Sequence, residues 1–264
     1  MKQIREVELS KVAEKVVSDY KILYPIELDN LLSVLNIEML FVDTGQCDGI
    51  FLCYKGIKKI LINKAIKSIG RINFTIGHEL GHYFIKDHLR PIYNCNVDEL
   101  LTSKSINNLI YEKEADYFAS EILLPKSILK KEEHTTLLDI VKLSDKYGVS
   151  IPSAAIKIMK MQEEPMAFMY IKDDKIQWIM RSIGDIYNCL LIDRNSSIPN
   201  TSFYDSDNFE VIRNDSYYCN NNISSFGWVK NKWNEVYIKE EVIKYPNYNS
   251  GYILLNYAIV YNID

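Results

Sequence analysis

The sequence predicts an α+β chain in two unlike parts, helices around a small sheet followed by a β-rich remainder. Apolar positions recur at helical spacing in several segments before residue 163. Short β-branched runs interrupt them between residues 37 and 64. Past Gln162-Glu163-Glu164-Pro165 the chain turns to short apolar runs set among Tyr, Asn, Ser and Trp.

The elements follow in order. Residues 6 to 20 carry Val7, Leu9, Val12, Ala13, Val16 and Val17 on one side of an amphipathic helix. Pro25 opens a second short helix, IELDNLLSVL. IEMLFVD, DGIFLCY and KKILINK read as a three-strand meander, with Lys58 to Asn63 expected to present an edge. Arg71 to Ile85 returns to helix, and Asp87 to Ser105, broken by Pro91, reads as a loop. Leu109 to Leu124 is helical and stops at Pro125. Residues 136 to 162 form two more helices around Tyr147-Gly148-Val149-Ser150. MAFMYI-KDDK-IQWIM is a hairpin by pattern, and YILLNYAIVY is a late strand. The expected division is 1–130, 131–163 and 164–264.

The composition is that of an ordinary globular protein, 47% apolar and 25% charged over 264 residues. A net charge of −4 gives no general electrostatic reason to bind nucleic acid. The five cysteines are odd in number and include no C-x-x-C pair, which argues for buried thiols in a reducing compartment rather than a disulfide framework. No run approaches the ~18 apolar residues of a membrane span, and the N-terminal stretch lacks an apolar signal core. The expectation is a cytoplasmic protein without a membrane partner.

Chemistry concentrates in FTIGHELGHYFIKDH, residues 74 to 88, which hold three of the four histidines. On a helix each residue advances about 100°, so His78 and His82 lie one turn apart on one face. Two imidazoles at that spacing grip a single ion, and imidazole suits Zn²⁺. Glu79 projects to the neighbouring sector, where it serves as base toward a metal-activated water. Gly77 and Gly81 lie four apart, each costing about 1 kcal/mol against alanine in a helix, which implies close approach by another backbone.

H-E-x-x-H alone also arises by chance, and a third ligand decides. YEKEADYFASEILLP, residues 111 to 125, supplies one. Glu112 from this helix completes a His₂Glu set with His78 and His82. Asp116, one turn on, is placed to accept the free N–H of His78 and fix its tautomer. Taken alone, Glu112 and Asp116 fit a solvated helix face; Glu114, the competing ligand, points roughly 200° away from Glu112.

Together these stretches make the chain resemble the ImmA/IrrE family of zinc metallo-endopeptidases. The resemblance runs from about residue 10 to 130: a first helix, YPIELDNLL, Asp48-Gly49, an ILIN strand, RINFTIGHELGHYF, then EKEADYFASEILLP. It implies a zincin-like peptidase domain, zinc on His78, His82 and Glu112, and Glu79 as catalytic base. It further implies an intracellular protein substrate, a helix-turn-helix repressor whose cleavage relieves repression. Two departures stand out: Gly77 replaces the usual alanine, and the histidine pair that often follows the motif is reduced to His88. His88, Tyr83 and Tyr93 are the candidates for stabilising an oxyanion.

TLLDIVKLSDKYGVSIPSAAIKIMKM resembles a helix-turn-helix. Its second helix offers only Lys157 and Lys160, where a DNA reader needs several basic or amide side chains at its start. Scaffold or substrate docking is the expected role of 136–162, with nucleic acid as the lesser alternative. Residues 164–264 carry Trp178, Trp228 and Trp233 with no nucleophile or metal constellation, and read as a sensor, a binding module or a structural cap. The rival to an endopeptidase is a DNA- or protein-binding regulator that keeps the fold around a structural metal. Glu79 favours the enzyme, because a binding module has no use for a carboxylate beside an open metal position.

Overall fold

The structure is a computed structural model, described for residues 5–88, 106–129, 136–186, 188–206, 209–213, 216–230 and 236–258. Two compact units emerge: Met1–Glu132 with Leu143–Ser150, and Glu133–Lys142 with Ile151–Asp264. They contain a three-stranded and a six-stranded sheet respectively, and the fold class is α+β.

In the first unit, α1 (Glu6–Asp19) buries Leu9, Ala13 and Val16, the apolar stripe of its sequence, and α2 (Leu28–Val34) buries Leu28, Leu31 and Leu32. β1 (Ile37–Val42), β2 (Gly49–Tyr54) and β3 (Ile57–Asn63) follow. They are not a meander. The order is β1-β3-β2, with β1 and β3 parallel and β2 antiparallel to β3. β3 carries Ile60 and Ile62 fully buried, and strands on both sides satisfy its backbone, so Lys58 to Asn63, expected as an edge, is the centre of the sheet and β1 and β2 are its edges. Burial selects the central position: β3 brings its apolar residues inward, whereas β2 leaves Leu52, Cys53 and Tyr54 exposed.

α3 (Ile69–Phe84) and α4 (Ile106–Leu123) form the heart of this unit. A Cβ on Gly81 would lie 3.0 Å from the Ala115 Cα, and one on Gly77 would lie 3.2 Å from the Ala119 Cα. The close backbone approach expected from the two glycines is therefore present, against a face made by Ala115, Phe118, Ala119 and Ile122, all at 0% exposure. Short residues on both helices let the axes approach, which brings long polar side chains near their edges within reach of each other. α5 (Lys126–Leu129) ends the run past Pro125. The Asn73 amide donates to the Gly148 carbonyl at 2.8 Å, and the Ser144 hydroxyl donates to the Val149 carbonyl, which holds the Gly-Val-Ser turn.

α6 (Leu137–Tyr147) and α7 (Ile151–Met159) flank that turn. α7 belongs to the second unit and buries Ala154, Ala155, Ile158 and Met159. Lys157 is only 5% exposed, so of the two basic side chains that a DNA contact would draw on, Lys160 alone is on the surface.

The second unit holds one antiparallel sheet of six strands. β4 (Met166–Lys172) and β5 (Lys175–Arg181) form the expected hairpin, turning at Asp173 and Asp174, both at positive φ. β6 (Glu210–Arg213), β7 (Ser216–Ser224), β8 (Tyr237–Tyr245) and β9 (Ser250–Asn256) complete it, in the order β5-β4-β9-β8-β7-β6. β9 is the first part of the YILLNYAIVY run, and it pairs with β4 and β8 rather than with the three-stranded sheet. Trp228, Val242, Ile253, Leu255 and Tyr257 build the core. Trp233 and Cys95 lie outside the described residues; Cys47, Cys53, Cys189 and Cys219 are free thiols. No helix among the described residues is long and apolar enough to cross a membrane.

Candidate metal centre

Helical spacing on α3 puts His78 and His82 one above the other, and the glycine–alanine contact sets α4 beside them. Glu112 on α4 reaches across. The three ligand atoms lie within 4.8 Å of one another. His78 Nε2 is 3.1 Å from His82 Nε2 and 3.1 Å from Glu112 Oε2, and His82 Nε2 is 3.5 Å from Glu112 Oε1.

These separations test whether a metal fits. Nitrogen and oxygen ligands at about 2.0–2.1 Å from an ion, set at the tetrahedral angle, lie roughly 3.3 Å apart. The three observed separations, two of which end on different oxygens of Glu112, bracket that value. Two imidazole nitrogens facing each other beside a carboxylate, each with its proton committed elsewhere, also repel unless a cation or proton lies between them. The donor set fits a small divalent ion.

The outer contacts commit those protons. Asp116 Oδ1 lies 2.9 Å from His78 Nδ1; a carboxylate only accepts, so Nδ1–H donates, and a cation replacing the Nε2 proton would meet a lone pair directed toward Glu112 and His82. Burial works against charge on His78, yet the hydrogen bonds to Asp116 and Glu112 raise its pKa to about 10. Hydrogen bonds to His78 and His82 hold the Glu112 carboxyl well below the usual range. The local field favours positive charge at the point where the three side chains meet.

Glu79 stands apart from this set. It is 7% exposed, beside the start of β2, where a Cβ on Gly49 would come 3.1 Å from its Oε1. Burial raises its pKa, and the positive fields of His78 and His82 and a backbone hydrogen bond from Phe51 oppose that rise. A carboxylate whose proton affinity is lifted by burial suits general base work.

The oxyanion candidates fare differently. His88 has a side chain at 0% exposure, with Nδ1 3.2 Å from His82 Nδ1 and Nε2 3.1 Å from Glu114 Oε2. It stands behind His82, away from the ligand atoms, and is not placed to meet an oxyanion. The Tyr83 ring packs on Phe51, and the Lys58 ammonium lies 3.4 Å from its hydroxyl. Tyr93 lies outside the described residues. Glu114 does point away from Glu112, but inward: it is 3% exposed and takes two hydrogen bonds at 3.1 Å from Arg5. Burial opposes its charge, while Arg5 and His88 hold its carboxyl below the ordinary range. Sequence reasoning missed Arg5 and the inward role of Glu114. The i+2 offset from Glu112 signals the opposite helix side, but nothing local signals a partner 109 residues away.

Residues 32–159 match the model of the IrrE N-terminal-like domain. The metallopeptidase ImmA of Bacillus subtilis (strain 168) is 28% identical over 106 residues, which cover 39% of this chain and 59% of that protein. Among solved structures, a Mycobacterium tuberculosis transcriptional regulator has the same overall fold, with a TM-score of 0.50 at 13% identity, covering 94% of this chain and 75% of that one. Residues 32–159, which carry both helices of the metal centre, are thus similar to the IrrE N-terminal-like domain and to a metallopeptidase of the ImmA type.

Proposed function

We propose that this protein is a zinc-dependent endopeptidase that hydrolyses a peptide bond in a protein substrate. The observation that carries the reading is the convergence of His78, His82 and Glu112, ligand atoms within 4.8 Å of one another, beside the buried carboxylate of Glu79. A zinc ion held there would polarise a water and the scissile carbonyl. Glu79 takes the proton of the attacking water and later delivers it to the leaving amine, which its raised proton affinity favours. Asp116 keeps His78 in the ligating tautomer. β2 is an edge strand that runs past Glu79, so its free side is where an extended peptide would pair.

The substrate class we propose is a repressor of the helix-turn-helix type, in the cytoplasm; similarity to the ImmA/IrrE family supports it. We assign catalysis to residues 1–130, a helical element to 131–163, and a sensor or binding module to 164–264. Zinc content and cleavage of the repressor encoded beside the gene, measured for the wild type and Glu79→Gln, test the reading. Zinc retained with cleavage lost in the variant supports it. A wild type without zinc, or a variant that still cleaves, rejects it.

A further inference from the structure

The two histidine ligands are supported unequally. His78 leans on Asp116, whose side chain is 54% exposed. His82 leans on a buried chain that crosses three segments: His82 Nδ1 to His88 Nδ1 at 3.2 Å, His88 Nε2 to Glu114 Oε2 at 3.1 Å, and Glu114 to the Arg5 guanidinium through two contacts of 3.1 Å. The His88 and Glu114 side chains are 0% and 4% exposed, and the Tyr111 ring covers His88 at 4.7 Å between centroids. Arg5 also meets Glu8 and Asp87.

Hydrogen-bond polarity follows from the closed end. Glu114, paired with a guanidinium, accepts only, so His88 donates from Nε2. A neutral His88 then offers a lone pair at Nδ1, which can accept only if His82 carries its proton on Nδ1. That leaves the lone pair of His82 on Nε2, facing His78 and Glu112. The opposite polarity would put a proton on His82 Nε2 and spoil the ligand set.

We infer that Arg5, Glu114 and His88 form a positioning chain that fixes His82 in its metal-binding tautomer, and so makes metal affinity depend on the residue at the head of α1. The inference rests on the metal centre proposed above. It goes further in assigning roles to three residues that touch no ligand atom facing the metal point.

Zinc affinity of the full-length protein, read by competition with a chromophoric chelator, tests it. His88→Leu removes the acceptor and should weaken zinc binding about 10–100-fold, the usual effect of deleting an outer-shell partner. His88→Gln, whose amide oxygen can accept from His82, should recover most of the loss, and Arg5→Ala should weaken zinc in the same direction as His88→Leu. Nitrogen-15 imidazole spectra of the zinc-loaded wild type, which need no variant to fold, should show His82 protonated on Nδ1 and His88 on Nε2. Zinc affinity within twofold of wild type in folded His88→Leu, equal losses in His88→Leu and His88→Gln, or His82 protonated on Nε2 would each overturn the chain and leave the metal centre standing. A wild type that binds no zinc would overturn the centre itself, and the chain with it.

Discussion

The helix pair around His78 and the six-stranded sheet both bury carboxylates, and they treat them differently. In the sheet unit, Glu241 Oε2 accepts from the Leu137 amide at 2.8 Å and the Tyr218 hydroxyl at 3.0 Å, while Oε1 meets the Lys239 ammonium at 2.9 Å. Glu240 takes the Phe203 amide at 2.7 Å and a contact from Ser202. Both are closed accounts of donors and acceptors, as buried polar groups in a structural core should be. Around His78 the outer atoms are closed in the same way, by Asp116 and by the His88–Glu114 pair, but three inner atoms are left facing one another. The difference separates a staple from a site: what matters is not that a carboxylate is buried, but which lone pairs remain after its neighbours are satisfied.

The largest break in that comparison comes from Glu79, buried like Glu240 but beside the open ligand set. Glu79→Gln keeps shape and ligands while removing the base. Peptide hydrolysis should fall about 10²–10⁴-fold, with zinc content by atomic absorption unchanged. Undiminished turnover, or loss of metal, would return Glu79 to the structural class.

Asp116→Ala comes next. Its side chain is half exposed, so the fold should tolerate the change, but His78 loses the partner that fixes its tautomer. Zinc affinity should drop about 10–100-fold, with the thermal midpoint of the metal-free protein little moved. A melt that shifts while affinity holds would make Asp116 a surface contact of the fold.

How much of this was legible depends on sequence distance. The i, i+4 pair His78/His82, the Glu112/Asp116 pair and the glycines opposite Ala115 and Ala119 are local patterns, and helical periodicity carries them directly into space. The sheet order was not legible: β1-β3-β2 requires a crossover whose cause is the burial of Ile60 and Ile62, and a run of three β-rich segments equally allows a meander. Arg5 precedes the first helix and meets a glutamate 109 positions later, so no spacing rule reaches it. The pairing of β9 with both β4 and β8 is likewise a long-range outcome that short apolar runs do not specify.

A smaller effect sharpens the comparison from the packing side. Gly81→Ala would press a methyl to 3.0 Å from the Ala115 Cα and 3.2 Å from its carbonyl oxygen, both backbone atoms with little freedom to yield. Overpacking of this kind costs about 1–3 kcal/mol, against about 1 kcal/mol gained by alanine over glycine in a helix. Thermal melts should show net destabilisation, and zinc affinity should fall with it, because the same contact sets the distance from Glu112 to the two histidines. Stability lost with metal binding intact would uncouple the glycine contact from the centre.

The smallest effect belongs to the sheet. Burial raises the Glu240 carboxyl from its ordinary 4.5 to about 7, partly offset by Ser202 and the Phe203 amide. A raised acid favours the neutral form in the folded chain, so its contribution to stability is complete below about pH 4.5 and is lost as pH rises through about 7. Between pH 6 and 8 the loss amounts to about 1 kcal/mol at 1.36 kcal/mol per pKa unit. Glu240→Gln is neutral at every pH and keeps an oxygen for the Phe203 N–H. Its unfolding free energy, measured in urea at pH 6 and pH 8, should lack that part of the wild-type slope, while zinc affinity stays at the wild-type value. If the variant keeps the full slope, Glu240 is ionised in the fold, and the sheet unit holds a buried charge on hydrogen bonds alone. If instead its zinc affinity drops, the contrast between closed carboxylates and a site with lone pairs to spare fails at the residue chosen to represent it.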